Sequence, residues 1–231
     1  MPTLSVIIPV YNEEKQIGST LPQVLGFLNS RNIEHEIIAV DDGSTDNSIE
    51  MIKKFPNVQI IQHEKNRGKG AAVKTGIQAA QSDFILFTDA DNSTPIEELD
   101  KFWNKKNGSD ILIGSRYLQE SNIKIKQPWY RNIITFAGNK LIRIILDIKH
   151  KDTQCGFKLF KKQVIKDLIH HQTIDRWGFD IELLYLAKKK KYSAKEIPVT
   201  WIDNPDSKVK PLDFFKTFAE LLKIRFTKYK I

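Results

Sequence analysis

A single cysteine, Cys155, excludes an internal disulfide, and a chain of 231 residues is long enough to bury a core without one. The simplest compartment for it is a reducing one. No apolar run reaches the roughly 18 residues a membrane-spanning helix needs, so none is expected. The start of the chain lacks the basic region of a signal peptide, and Pro9, Asn12 and two glutamates soon interrupt the apolar run Leu4–Val10. Two nucleotide signatures are also missing. The glycine loop Asn66-Arg67-Gly68-Lys69-Gly70 lacks the full G-x-G-x-x-G spacing, and no Gly-Lys-Ser/Thr phosphate loop occurs. Neither a dehydrogenase nor a P-loop enzyme is supported. The five histidines show no metal-ligand spacing.

What is present is globular in character, with 41% hydrophobic and 28% charged residues. The formal net charge of +8 fits an anionic partner: nucleic acid, acidic lipid or a phosphorylated substrate. A nucleic-acid-binding module is the alternative from another class. Against it, the lysines are scattered and no nucleic-acid motif appears.

Short apolar runs alternate with helical patterns over the first ~115 residues, which predicts a mostly parallel sheet covered on both faces. Strands are expected at Leu4–Val10, Glu36–Val40, Val58–Gln62, Asp83–Thr88 and Ile111–Gly114, with a further short strand at Gly156–Phe160. Helices are expected near Asp46–Phe55, Ala71–Gln81, Trp129–Ile148, Lys161–Ile169, Phe179–Lys190 and Leu212–Ile231, with Asn12 capping the first helix and Pro95 starting another.

Ligands of open parallel sheets bind outside the carboxyl ends of the strands. Three acidic or polar clusters fall there: Tyr11-Asn12-Glu13-Glu14, Asp41-Asp42 and Asp89-Ala90-Asp91. One would be ordinary loop polarity; three after successive strands point to a shared crevice. Asp89 and Asp91 supply hard oxygen ligands on a tight turn, suited to Mg2+ or Mn2+ completed by substrate phosphates. Arg67, Lys69 and backbone N–H groups at a helix start suit a diphosphate. Asp180 and Glu182 are two apart and do not share a helical face, so at most one faces a site.

In order and spacing, Val6-Ile7-Ile8-Pro9-Val10-Tyr11-Asn12-Glu13, Asp41-Asp42-Gly43-Ser44-Thr45-Asp46, Asn66-Arg67-Gly68-Lys69-Gly70 and Asp89-Ala90-Asp91 resemble the family 2 inverting glycosyltransferases. Gly114-Ser115-Arg116-Tyr117, Arg131, Asp152-Thr153-Gln154-Cys155-Gly156-Phe157-Lys158 and Phe179-Asp180-Ile181-Glu182-Leu183-Leu184 resemble the polyprenyl-phosphate branch, the dolichyl-phosphate glucose and mannose synthases. The Gln-Cys-Gly-Phe-Lys run is closer to the glucose type.

The resemblance implies an α/β fold of GT-A type. A donor half would span 1–115 and an acceptor half 116–211, followed by a basic amphipathic helix over 212–231. It implies that Pro9, Tyr11, Glu13, Asp42, Lys69 and Asp89 hold the nucleotide-sugar, and that Asp89 and Asp91 hold the metal. Arg116 and Arg131 would clamp the acceptor phosphate, with Lys158 and Trp177 beside them. Asp152 is the base if the acceptor is a hydroxyl. Ser93 stands where mannose synthases often carry glutamine, so no third protein ligand to the metal is carried over.

The expected donor is a nucleotide-diphosphate sugar, UDP-glucose ahead of GDP-mannose. The expected acceptor is a polyprenyl phosphate lipid, with a soluble hydroxyl as the alternative. The expected place is peripheral, on the cytoplasmic face of a membrane with an anionic surface. A homodimer is left open, and no nucleic acid is expected.

Overall fold

The computed structural model describes residues 3–125, 129–203 and 211–230, with side chains described for 3–124, 137–203 and 216–230. Its strands are β1 (Leu4–Val10), β2 (His35–Asp41), β3 (Val58–Gln62), β4 (Phe84–Thr88), β5 (Ile111–Ser115), β6 (Asn122–Ile125), β7 (Phe157–Lys161), β8 (Ala194–Pro198) and β9 (Thr200–Ile202). The helices are α1 (Glu14–Ser30), α2 (Ser48–Ile52), α3 (Lys69–Ala79), α4 (Leu99–Trp103), α5 (Trp129–Leu146), α6 (Lys162–His171), α7 (Phe179–Lys189) and α8 (Pro211–Phe226). A seven-stranded sheet runs β3-β2-β1-β4-β7-β5-β8, and β6 and β9 form a separate pair. Every pairing in the large sheet is parallel except the two made by β7.

The mostly parallel, two-faced sheet agrees with the sequence pattern. β1 reads as a continuous apolar run because both its faces are covered: Leu4, Val6, Ile8 and Val10 enter one core cluster and Ile7 the other. α1 turns Ile17, Leu21, Val24 and Leu28 to the same core as Val6 and Ile8.

Three local expectations change. Asn12 does not cap α1, which starts at Glu14. It adopts a left-handed conformation with φ of 54°, and its Oδ1 accepts the Thr45 N–H at 2.7 Å. Asparagine tolerates that region and bonds locally, so it joins two loops. α2 is shorter than its pattern: Asp46 accepts the Ser48 N–H at 3.0 Å, and 42–47 form a loop ahead of it. β6, β8 and β9 carry no clear period in the sequence and were not expected.

Two strand relationships place the site. β1 pairs with β4 only from Leu4 opposite Phe84 to Ile7 opposite Phe87. Beyond Ile7 the two strands part, at the point where the chain's crossovers change direction, and such switch points form crevices. β7 runs antiparallel to β4 with Phe157 opposite Thr88, so the start of β7 lies beside the end of β4. Residues 152–156 therefore reach the same edge as Asp89.

Candidate active site

The loops expected to hold the nucleotide-sugar lie at the ends of β1, β2, β3 and β4. Tyr11, just after β1, is 38% exposed. Pro9 lies past the last β1–β4 pair, opposite Val40. The Glu13 N–H donates to Ser48 Oγ at 2.7 Å, which ties the start of α1 to the start of α2.

Asp42 departs from its expected role. It is fully buried, and its carboxylate accepts the backbone N–H of Arg67 at 2.9 Å and of Gly68 at 2.7 Å, with His63 Nδ1 at 2.7 Å. In this arrangement its oxygens shape the glycine loop rather than facing a nucleotide. Gly68 has a φ of 114°, and a β-carbon there would strike the Asp175 carbonyl, so only glycine suits this approach.

Lys69 opens α3, and its Nζ lies 2.5 Å from Asp89 Oδ1. Burial works against its charge, but Asp89, Asp180 and Asp91 outweigh that and hold the ammonium above the ordinary lysine value. Asp91 Oδ1 accepts the Ser93 N–H at 3.0 Å. Burial first, and then the charge of Asp89, pushes the Asp91 carboxyl above its usual range. Gly156 gives Asp89 its room, since a β-carbon at 156 would overlap the Asp89 carboxylate.

Among the described residues no cluster of three or more acidic, histidine or cysteine side chains forms a complete metal cage. The two aspartates nevertheless fit a divalent cation that takes its remaining ligands from phosphate and water. They are crowded, like-charged and partly desolvated, and a cation relieves each of those costs. Ser93 is buried, and its side chain as well as its backbone N–H bonds to Asp91.

Arg116, expected to meet an acceptor, follows β5. Its backbone N–H and Nε donate to Asp152 Oδ2 at 3.0 and 2.7 Å, and its Nη2 donates to Oδ1 at 2.9 Å. The guanidinium centre lies 5.4 Å from the Trp201 ring and 5.7 Å from Tyr117. Asp152 is fully buried. Burial raises its carboxyl, but Arg116 outweighs burial and holds it below the usual aspartate range. A carboxylate so engaged orients Arg116, and is poorly placed to serve as the base that a hydroxyl acceptor would need.

Lys158 is likewise corrected. It is fully buried, with its ammonium 2.5 Å from Asp180 Oδ1 and 2.7 Å from the Cys155 carbonyl, so it does not reach an acceptor. Trp177 lies beside Lys69, its ring centre 5.6 Å from Nζ, and not beside Arg116 as expected. Arg131 is within α5, and its side chain lies outside those described. Asp180 faces the charged centre, whereas Glu182 turns away to accept the Thr173 and Ile174 N–H groups. The Cys155 thiol is pushed up to about 11 by burial and then by Asp152, which leaves it un-ionised at neutral pH.

A line of alternating charge results: Arg116–Asp152, then Lys158–Asp180, then Lys69–Asp89. The sequence shows the members but not the pairing, because β7 enters the sheet antiparallel and brings residues 152–158 between the two loops. Asp180 is the one of the Asp180/Glu182 pair that faces this centre, and Gly156 carries no sequence signal beyond its place in the second-half motif.

A family model described as Glycosyl transferase family 2 matches residues 5–169. This chain belongs to that family. It is a glycosyltransferase. Dolichyl-phosphate beta-glucosyltransferases from Dictyostelium discoideum and Homo sapiens are each 33% identical to it over 241 residues, covering 96% of this chain and 74% of theirs. The counterpart from Saccharomyces cerevisiae is 32% identical over 246 residues.

Among solved structures, glucosyl-3-phosphoglycerate synthase from Mycobacterium tuberculosis, in complex with Mn2+, UDP and phosphoglyceric acid, superposes with a TM-score of 0.75. The two are 18% identical over 99% of this chain and 80% of that one. S. aureus TarS with UDP-GlcNAc gives 0.64, at 21% identity over 99% and 68% of the chains. At these identities the likeness is one of fold, and the fold is GT-A.

Proposed function

We propose that this glycosyltransferase moves glucose from UDP-glucose onto a polyprenyl phosphate of dolichyl type, with a divalent metal held by Asp89 and Asp91. The curated relatives named for dolichyl-phosphate glucosyltransfer support the sugar and the acceptor. The observation that carries the acceptor class is the Arg116–Asp152 pair. A hydroxyl acceptor needs a general base, and the one carboxylate expected in that role is spent on an arginine. A phosphate monoester needs none, because its second pKa is about 6 and it is largely dianionic at neutral pH.

In this reading the phosphate oxygen attacks the anomeric carbon while the bond to the diphosphate breaks, and UDP leaves. The transition state has oxocarbenium character, and negative charge grows on the leaving group. The metal's contribution there is Lewis-acid neutralisation of the departing diphosphate. Lys69 adds a second cation on the same side. Arg116, oriented by Asp152, and Arg131 meet the acceptor phosphate with planar forks that stay protonated. Tyr11 stacks against the base, with Pro9 and Glu13 lining the same end, and Asp42 acts by shaping the loop that presents Lys69.

Beside Tyr117 a cleft of about 740 Å³ opens along α5, lined among others by Asn139, Lys140, Arg143, Lys149 and Lys151. Its charge suits the approach of an anionic headgroup. No helix among the described residues is long and apolar enough to cross a membrane. α5 and α8 expose Leu141, Ile144, Phe218, Leu222 and Phe226, with lysines and arginines close by in sequence. That face suits a peripheral position on the cytoplasmic leaflet.

Calorimetric titration of UDP and of GDP, each with Mn2+, tests the donor. Tight binding of UDP alone supports UDP-glucose, and preference for GDP turns the reading to GDP-mannose.

A further inference from the structure

Besides its exposed face, α8 has an inner face that reaches towards the donor loops. Leu221 and Ile224 are buried in the cluster that contains Ile174 and Phe179. Glu220 Oε2 accepts the Gly178 N–H at 2.8 Å, and Lys223 Nζ donates to the Thr173 carbonyl at 3.4 Å. Past the helix end, the Tyr229 hydroxyl donates to Glu182 Oε1 at 2.8 Å. That carboxylate accepts the N–H groups of Thr173 and Ile174. The connection 172–178, between α6 and α7, is thus held at both ends by α8 and the residues after it.

The same connection meets the start of α3. The Asp175 carbonyl accepts the Ala71 N–H at 3.0 Å, and Gln172 Nε2 donates to the Gly70 carbonyl at 3.1 Å. Its Trp177 ring stands against Lys69, which is paired with Asp89. A continuous set of hydrogen bonds and packed groups therefore runs from α8, through 172–178, to the donor-side cation.

We infer that Glu220 is a positioning residue for the donor subsite. By fixing the Gly178 N–H it sets Trp177 and the 172–178 connection against α3, and so sets where Lys69 stands. This rests on the donor reading proposed above, and it makes α8 a shared part of the outer apolar face and the nucleotide site.

The test is calorimetric titration of UDP with Mn2+ into the full chain carrying Glu220→Ala, Glu220→Gln, Tyr229→Phe, Trp177→Ala or the Glu220→Ala/Trp177→Ala pair. Loss of a charge-assisted bond to a backbone N–H is expected to weaken UDP binding about tenfold in Glu220→Ala. Glu220→Gln, whose amide oxygen still accepts, restores most of it. Tyr229→Phe, which loosens the other end, weakens binding about threefold. In the Trp177→Ala background, Glu220→Ala has little further effect, because both act through one segment.

UDP affinity unchanged in Glu220→Ala and Tyr229→Phe, with only the melting temperature lowered, would overturn the inference. So would full additivity with Trp177→Ala. A wild type that binds no UDP would sink the donor reading and the inference together, whereas binding without coupling sinks the inference alone.

Discussion

Lys69 Nζ sits 2.5 Å from Asp89 Oδ1, so in this structure a lysine neutralises one of the two carboxylates assigned to the metal. When a cation and a diphosphate occupy the site, Lys69 has a second anion to turn to. Lys69→Ala should therefore show opposite signs in two titrations. Mn2+ alone binds more tightly than to wild type, since a competing cation is gone. UDP with Mn2+ binds more weakly, and turnover falls about 10²-fold or more, in line with the loss of a group that stabilises developing charge. Calorimetry with and without UDP checks both; equal changes in the two would contradict it.

Gly156→Ala tests how closely Asp89 is held. The new β-carbon would occupy the space of the Asp89 carboxylate. Displacement of a reacting-site group by about 1 Å can cost 10²-fold, so transfer should fall at least that far while the melting temperature changes little. Near-normal activity would mean that Asp89 does not act from this position.

Asp152→Asn tests the buried pair on the acceptor side. The folded carboxyl lies below the usual range, so its contribution to stability is present above the unfolded value of about 3.9 and is lost as pH falls towards the folded value. At pH 7 the variant should melt lower than wild type, and the gap should narrow below about pH 4. Asp152→Ala, which leaves the half-buried Arg116 unpaired, should cost more than Asp152→Asn, up to about 3 kcal/mol. Melting curves from pH 2.5 to 7 decide it; a gap that stays constant with pH would contradict the assignment.

Much of this was legible before the structure. The first four strands, the crevice at their ends and the Asp89-x-Asp91 turn follow from apolar runs that end in acidic loops. The second half is less legible, for two physical reasons. β7 is antiparallel inside a parallel sheet, so the pairing of Arg116 with Asp152 and of Lys158 with Asp180 depends on a register that periodicity does not encode. Asp42 and Lys158 look like ligand contacts as residue types, yet their partners are a backbone loop and a buried aspartate. Only burial and distance separate those roles.

Vesicle binding tests the outer face. Deleting residues after Pro211 should weaken co-sedimentation with anionic vesicles, but that deletion also removes Leu221 and Ile224 from the core. Ile144→Asp and Phe226→Asp are cleaner, because these side chains are 68% and 76% exposed. Each should weaken binding to anionic vesicles and leave the melting temperature within about 1–2 °C, as surface substitutions usually do. Unchanged co-sedimentation in both would remove the peripheral-membrane reading.

The most direct measurement is sugar transfer from radiolabelled UDP-glucose and GDP-mannose to a short polyprenyl phosphate, with Mn2+ or Mg2+, for the wild type and Asp91→Ala. The account predicts lipid-linked glucose from UDP-glucose, dependent on the metal and lost in Asp91→Ala. Donor binding without any lipid product would contradict it, as would product formed equally well with chelator present.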